Sequence, residues 1–80
     1  MLNRRKPTQR QMDYLRLALF SYNEMANELI VSPATAKSMC DFIKKKYGAA
    51  TKETALFLAI LLGDIDALDI KIPMKTERIG

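Results

Sequence analysis

Histidine is absent from this 80-residue sequence, and cysteine occurs once, as Cys40. Without histidine there is no Ser-His or Cys-His pair and no imidazole metal ligand, and one thiol forms neither an internal disulfide nor a multi-thiolate zinc site. Glycine occurs only three times, which leaves no glycine-rich phosphate loop. These absences argue against an enzyme and predict a protein without a metal or other cofactor.

Long apolar runs are also absent. The longest, residues 55–62, is far shorter than the roughly 20 residues that span a bilayer, and the N-terminal segment is polar and basic. We therefore expect a cytoplasmic protein with no membrane partner, in which a lone thiol stays reduced. At this length the chain forms one domain, and a hydrophobic content of 49% suffices for a compact core.

Charge is distributed unevenly along the chain, although its net value is only +4. Residues 1–10 contain four basic side chains and no acid, residues 37–52 contain five lysines and one aspartate, and residues 53–70 contain four acids and no base. Two basic segments on one side of the molecule would match a phosphate backbone. A solubilising surface with a basic arm explains the charge alone equally well.

Four hydroxyl side chains stand where helices are expected to begin: Thr8, Ser21, Ser32 and Thr51. Apolar spacing predicts helices over residues 9–20, over a short segment ending at residue 29, over 33–47, and from 52 to about 62. In the first helix the apolar stripe is Met12, Leu15, Leu19 and Tyr22. We divide the chain into a basic arm (1–7), a helical domain (8–63) and a tail (64–80) that alternates as an extended segment or short edge strand would.

The second and third helices, joined by a tight connection, form a helix-turn-helix pattern whose second helix enters the DNA major groove. The inward stripe of that helix is Ala36, Met39, Cys40, Ile43 and Tyr47. The predicted base contacts on its other side are Ala34, Lys37, Ser38 and Asp41. Lys37 can donate to guanine, whereas Asp41 either accepts from cytosine or faces water and weakens binding. The predicted phosphate contacts are Arg4, Arg5, Lys6, Thr35, Lys44, Lys45 and Lys46.

Three segments carry a family resemblance: Ser-Tyr-Asn-Glu-Met-Ala at 21–26, Val-Ser-Pro-Ala-Thr-Ala-Lys at 31–37 and Lys-Tyr-Gly-Ala at 46–49. With Leu29 and Ala55, this ordered set resembles the DNA-binding domain of the LuxR/GerE family of bacterial transcription regulators, over roughly residues 7–63. The resemblance implies an all-α, four-helix helix-turn-helix domain whose third helix reads DNA and whose fourth mediates dimerisation. The chain departs from the family at Ile30, Met39 and Asp41, where glycine, histidine and a basic or polar residue are usual.

The fourth helix is apolar on more than one side. We expect Ala55, Leu58, Ala59 and Leu62 to pack inward, which leaves Leu56, Phe57, Ile60 and Leu61 facing outward. Because such a face must be covered, the resemblance predicts that these four residues form a dimer interface. Alternatively, the tail from residue 65 to 74 folds back over them within one chain or crosses to a partner.

The sequence therefore predicts a sequence-specific DNA-binding transcriptional regulator that acts as a homodimer on double-stranded DNA. The alternative is a small anti-regulator that binds another transcription regulator through helix four, with Asp41 marking a lost DNA-reading surface. Salt separates the two functions, because phosphate contacts weaken steeply with ionic strength and an apolar protein interface changes little.

Overall fold

The structure is a computed structural model that describes residues 6–73, and within that range it contains four α-helices and no strand. The helices are α1 (Gln9–Arg16), α2 (Tyr22–Leu29), α3 (Pro33–Tyr47) and α4 (Lys52–Leu61), followed by a 3₁₀ turn at Ala67–Asp69. The expectation of a small all-α domain is thus confirmed for the described residues.

All four predicted caps are formed. The Thr8 hydroxyl accepts a hydrogen bond from the Gln11 backbone N–H at 3.2 Å, and the Gln11 side chain accepts one from the Thr8 N–H at 3.0 Å. Ser21 and Glu24 form the same reciprocal pair at the start of α2. Such boxes satisfy backbone donors that the helix leaves open, so these starts are dictated by local sequence.

The first helix is shorter than predicted, because it ends at Arg16 and not at residue 20. Residues 17–20 instead form tight turns, with the Leu17 N–H donating to the Tyr14 carbonyl and the Ala18 N–H to the Leu15 carbonyl, both at 3.1 Å. Helical spacing is lost there, so Leu17 and Ala18 are buried and Leu19 is 40% exposed. The prediction that the inward stripe runs through Leu19 is wrong.

The third helix is the centre of the domain, since it packs against α1, α2 and α4. Its predicted inward stripe is confirmed: Ala36, Cys40 and Ile43 are buried, and Met39 and Tyr47 are half-buried. Small side chains allow close contact between helices, because Ala26, Ala36, Ala55 and Ala59 are at most 2% exposed. One side of α3 therefore holds the core together while the other faces solvent.

The predicted faces of α4 need correction. Leu56 is buried with Ala55 and Ala59, so the prediction that it faces outward is wrong, and Ile60 is half-buried against the core. Because α4 packs against both α1 and α3, its buried arc is wider than one stripe. Leu58 is only half-buried and Leu62 is 50% exposed, contrary to the inward packing expected for them.

The tail is neither a uniform extended segment nor an edge strand over its described residues, 64–73. Gly63, with φ of +77°, reverses the chain after α4, so that Ile65 is buried in the core. The Tyr47 hydroxyl donates to the Asp64 carboxylate at 2.7 Å. Farther along, the Lys71 N–H donates to the Arg16 carbonyl at 2.9 Å, which places the tail beside the end of α1.

Candidate nucleic-acid interface

The solvent side of α3 is the surface on which the predicted DNA contacts lie. Ser32 caps the helix by accepting from the Thr35 N–H, Pro33 occupies its first turn, and Gly48 ends it in the left-handed conformation with φ of +67°. The exposed residues of this helix are Pro33, Ala34, Thr35, Lys37, Ser38, Phe42 and Lys45. The domain thus presents a helix of four turns that is anchored along one side and open along the other.

Helical spacing divides this open side into three lengthwise strips. At about 100° per residue, Ala34, Ser38 and Lys45 point most directly away from the core, and we call them the crest. Lys37, Asp41 and Lys44 form the ionic edge on one flank of the crest. Thr35, Met39 and Phe42 form the apolar edge on the other flank.

Two ion pairs that share Asp41 join the three side chains of the ionic edge. Lys37 Nζ lies 3.3 Å from Asp41 Oδ2, and Lys44 Nζ lies 3.0 Å from Asp41 Oδ1. Hydrogen bonds from Lys44 and from Lys37 lower the pKa of the Asp41 carboxyl, and the bond to Asp41 raises the pKa of Lys44. Asp41 therefore stays ionised at neutral pH. It pairs with Lys37, a predicted base contact, and with Lys44, a predicted phosphate contact.

The Tyr22 ring of α2 lies near two ammonium groups. Lys37 Nζ is 5.9 Å from the centre of its ring, and Lys52 Nζ is 5.4 Å from it, so both are within cation–π range. Lys52 is also paired with Glu53 at 2.8 Å, and this contact lowers the pKa of the Glu53 carboxyl. The ring and the Asp41 carboxylate together direct Lys37 toward α2 and away from the crest.

The apolar edge was not predicted. Phe42 is 56% exposed, and with Thr35, Ser38, Met39 and the α1 residue Gln11 it lines an open, mainly apolar groove. The signal was present in the spacing, because Phe42 lies four residues after Ser38 on a helix whose inward positions were known. Phe42 was left out because the contacts predicted on α3 were restricted to small, polar and charged side chains.

The predicted phosphate contacts differ in accessibility. Lys45 is exposed on the crest, whereas Lys44 and Lys46 are half-buried, and Lys44 is bound to Asp41. The Thr35 hydroxyl is hydrogen-bonded to the Ser32 hydroxyl, with 3.0 Å between the two oxygens, and Thr35 is exposed. Lys6 is exposed, and Arg4 and Arg5 lie outside the described residues.

The predicted dimer surface on α4 is reduced to its outer residues. Phe57 is 60% exposed and Leu61 is 65% exposed, and Leu62 beside them is 50% exposed. The described part of the tail leaves them open. Its buried residues are Asp64 and Ile65, of which Ile65 joins the core, and farther along the tail backbone bonds to α1. The tail therefore covers α4 only in part within residues 64–73.

Within residues 6–73, no helix combines the length and apolar character needed to cross a lipid bilayer. The same stretch has no cluster of three or more Cys, Asp or Glu side chains positioned to hold a metal ion. Neither a protein-family model, nor a curated protein, nor a solved structure matches this chain.

Proposed function

We propose that the chain is a sequence-specific, double-stranded-DNA-binding transcriptional regulator of the helix-turn-helix type, with α3 as the helix that enters the major groove. The observation that carries the proposal is the crest of α3. Ala34 and Ser38 are small and exposed near the start of the helix, and Lys45 is exposed two turns later. Small residues near the helix start permit approach to base edges, and a distal cation suits the phosphate backbone.

Charge supports the same surface. The third helix carries four lysines and one aspartate, a net charge of +3, whereas α4 carries one lysine and one glutamate. A positive helix that is exposed along its length favours a polyanionic partner. The resemblance of the segments around α2 and α3 to LuxR/GerE domains adds independent support from the sequence.

Fluorescence anisotropy with a labelled duplex at several salt concentrations tests this proposal. Lys45→Ala removes an exposed charge from the crest, and Lys71→Ala removes an exposed lysine from the tail as a matched control. We expect Lys45→Ala to weaken binding to all sequences and to reduce the slope of log K against log salt by about one. Lys71→Ala should leave that slope unchanged.

Equal effects of the two variants would contradict the placement of DNA on α3. Selection of duplexes from a random pool tests whether the protein prefers particular DNA sequences. A protein that enriches no sequence and shows no salt-dependent binding would refute the DNA-binding function.

We propose further that two copies associate through α4. Phe57 and Leu61 expose apolar surface one turn apart, and a two-fold pair would place two copies of α3 on successive major grooves about 34–36 Å apart. The double variant Phe57→Glu and Leu61→Glu should remain folded, because both side chains are outside the core, and should sediment as a monomer with weaker operator binding. A wild type that sediments as a monomer at high micromolar concentration would contradict the dimer.

The anti-regulator remains a second candidate because of one observation. Asp41 engages two of the four lysines of α3, while α4 leaves Phe57 and Leu61 open to a partner. In that case the substitutions on α4 would abolish binding to another regulator, Lys45→Ala would not, and added salt would change the affinity little.

A further inference from the structure

If α3 read DNA through its lysines alone, the apolar edge of the helix would have no role. Phe42 exposes 56% of its surface in the third turn of α3, beside the crest residues Ser38 and Lys45. A large aromatic side chain that is exposed in the middle of a basic helix keeps its apolar surface in contact with water. This contact is unfavourable unless a partner covers the side chain.

The cation best placed by sequence to recognise guanine is engaged elsewhere. Lys37 is bound to Asp41 and lies over the Tyr22 ring, on the flank of α3 opposite to Phe42. Lys45, two turns after Ser38, is assigned to the phosphate backbone, as is Thr35. The exposed groups left to contact base edges are the Ala34 methyl, the Ser38 hydroxyl and the Phe42 ring, and two of these three are apolar.

In the major groove, the base-edge group that complements hydrocarbon is the C5 methyl of thymine. We propose that α3 recognises thymine through this methyl group, with Phe42 as the main specificity-determining residue and Ala34 as a second apolar contact. This inference rests on the proposed function, since it names which bases the same surface selects.

The charges around Phe42 favour DNA over an apolar protein surface as the occupant. Lys45 and Lys46 follow it by three and four residues, so two lysine positions flank Phe42 along the same side of the helix. A duplex offers an apolar group to the ring and negative charge to the lysines, because a thymine methyl in the groove lies close to backbone phosphates.

Replacing thymidine by deoxyuridine tests the proposal, since the change removes only the methyl group and keeps base pairing. Duplexes enriched by selection would be compared with copies in which single thymidines are replaced, with affinity measured by anisotropy. Burial of one methyl group corresponds to a loss of about three- to fivefold at each thymine that is read. We expect one or two such positions in each half-site.

Variants assign the effect to its residue. In Phe42→Ala the ratio of thymidine to deoxyuridine affinities should fall to about one at the position that Phe42 reads, and Phe42→Leu should retain part of it. Leu68→Ala is the control, because it removes an apolar side chain that is 91% exposed in the tail, outside both α3 and the proposed dimer surface, and it should preserve the ratio. Circular dichroism would verify that each variant is folded.

Each remaining outcome has a definite meaning. Duplex binding that is equal for thymidine and deoxyuridine at every position would overturn this inference and leave the proposed function intact. A ratio that persists in Phe42→Ala would also overturn the assignment to Phe42. Failure to bind any duplex would refute the proposed function itself.

Discussion

Ile30 should limit the stability of this domain, and its replacement by glycine should raise it. The residue ends α2 with φ of 55° and ψ of 54°, the left-handed region, and its side chain is 88% exposed. An L-residue in this conformation costs about 1–2 kcal/mol, and a β-branched side chain is especially unfavourable there. Glycine removes this strain but adds about 0.4–1 kcal/mol of unfolded-state entropy, which opposes the benefit.

The difference predicts that Ile30→Gly increases the free energy of unfolding by about 0.5–1 kcal/mol. Little packing is lost, because so much of the side chain is already exposed. A change of about 1 kcal/mol moves the Tm of a domain of this size by about 4–8 °C, so thermal and urea denaturation followed by circular dichroism would resolve it. Ile30→Ala is the control, since it removes the same apolar surface but keeps a Cβ in the strained conformation. A glycine variant no more stable than wild type, or an alanine variant equally stabilised, would refute the reasoning.

Three further substitutions test buried and paired groups. Tyr14→Phe should leave stability unchanged or raise it by up to about 1 kcal/mol, because among the described residues the buried hydroxyl has no hydrogen-bond partner; a clear loss in urea denaturation would contradict this. Burial raises the pKa of Cys40 to about 11, so iodoacetamide at pH 8 should modify it only after unfolding. Since the folded thiol keeps its proton longer than an unfolded one, stability should fall as the pH rises from 9 to 11, and Cys40→Ala should reduce that fall. Asp41→Asn should release Lys37 and Lys44 and steepen the salt dependence of duplex binding by about 0.9 for each phosphate that a released lysine neutralises, and an unchanged slope would show that neither lysine reaches DNA.

The starts of the helices could be predicted because each depends on residues three positions apart. The Thr8 and Ser21 capping boxes form within one turn of the chain, and Ser32 and Thr51 cap in the same local way. The end of α1 could not be predicted from its stripe, since the tight turns over residues 17–20 are set by how the chain enters α2 and packs on the core.

In the candidate site too, features set by spacing within one helix could be predicted, and features set by packing between helices could not. Periodicity sufficed to place Ala34, Ser38 and Lys45 on the solvent side of α3. The pairing of Asp41 with both lysines was also accessible, because the partners lie four residues before it and three after it. The burial of Leu56 was not accessible, since it depends on α4 packing against two helices at once.

Backbone amide chemical shifts, measured while a selected duplex is added to isotopically labelled protein, test the central claim most directly. If α3 enters the major groove, the largest changes should fall on Ala34, Ser38, Phe42 and Lys45, with smaller ones along the ionic edge. The inward residues Ala36 and Ile43 should change less. Changes confined to α4, or none at duplex concentrations that saturate salt-sensitive binding, would contradict the assignment of α3 as the DNA-reading helix.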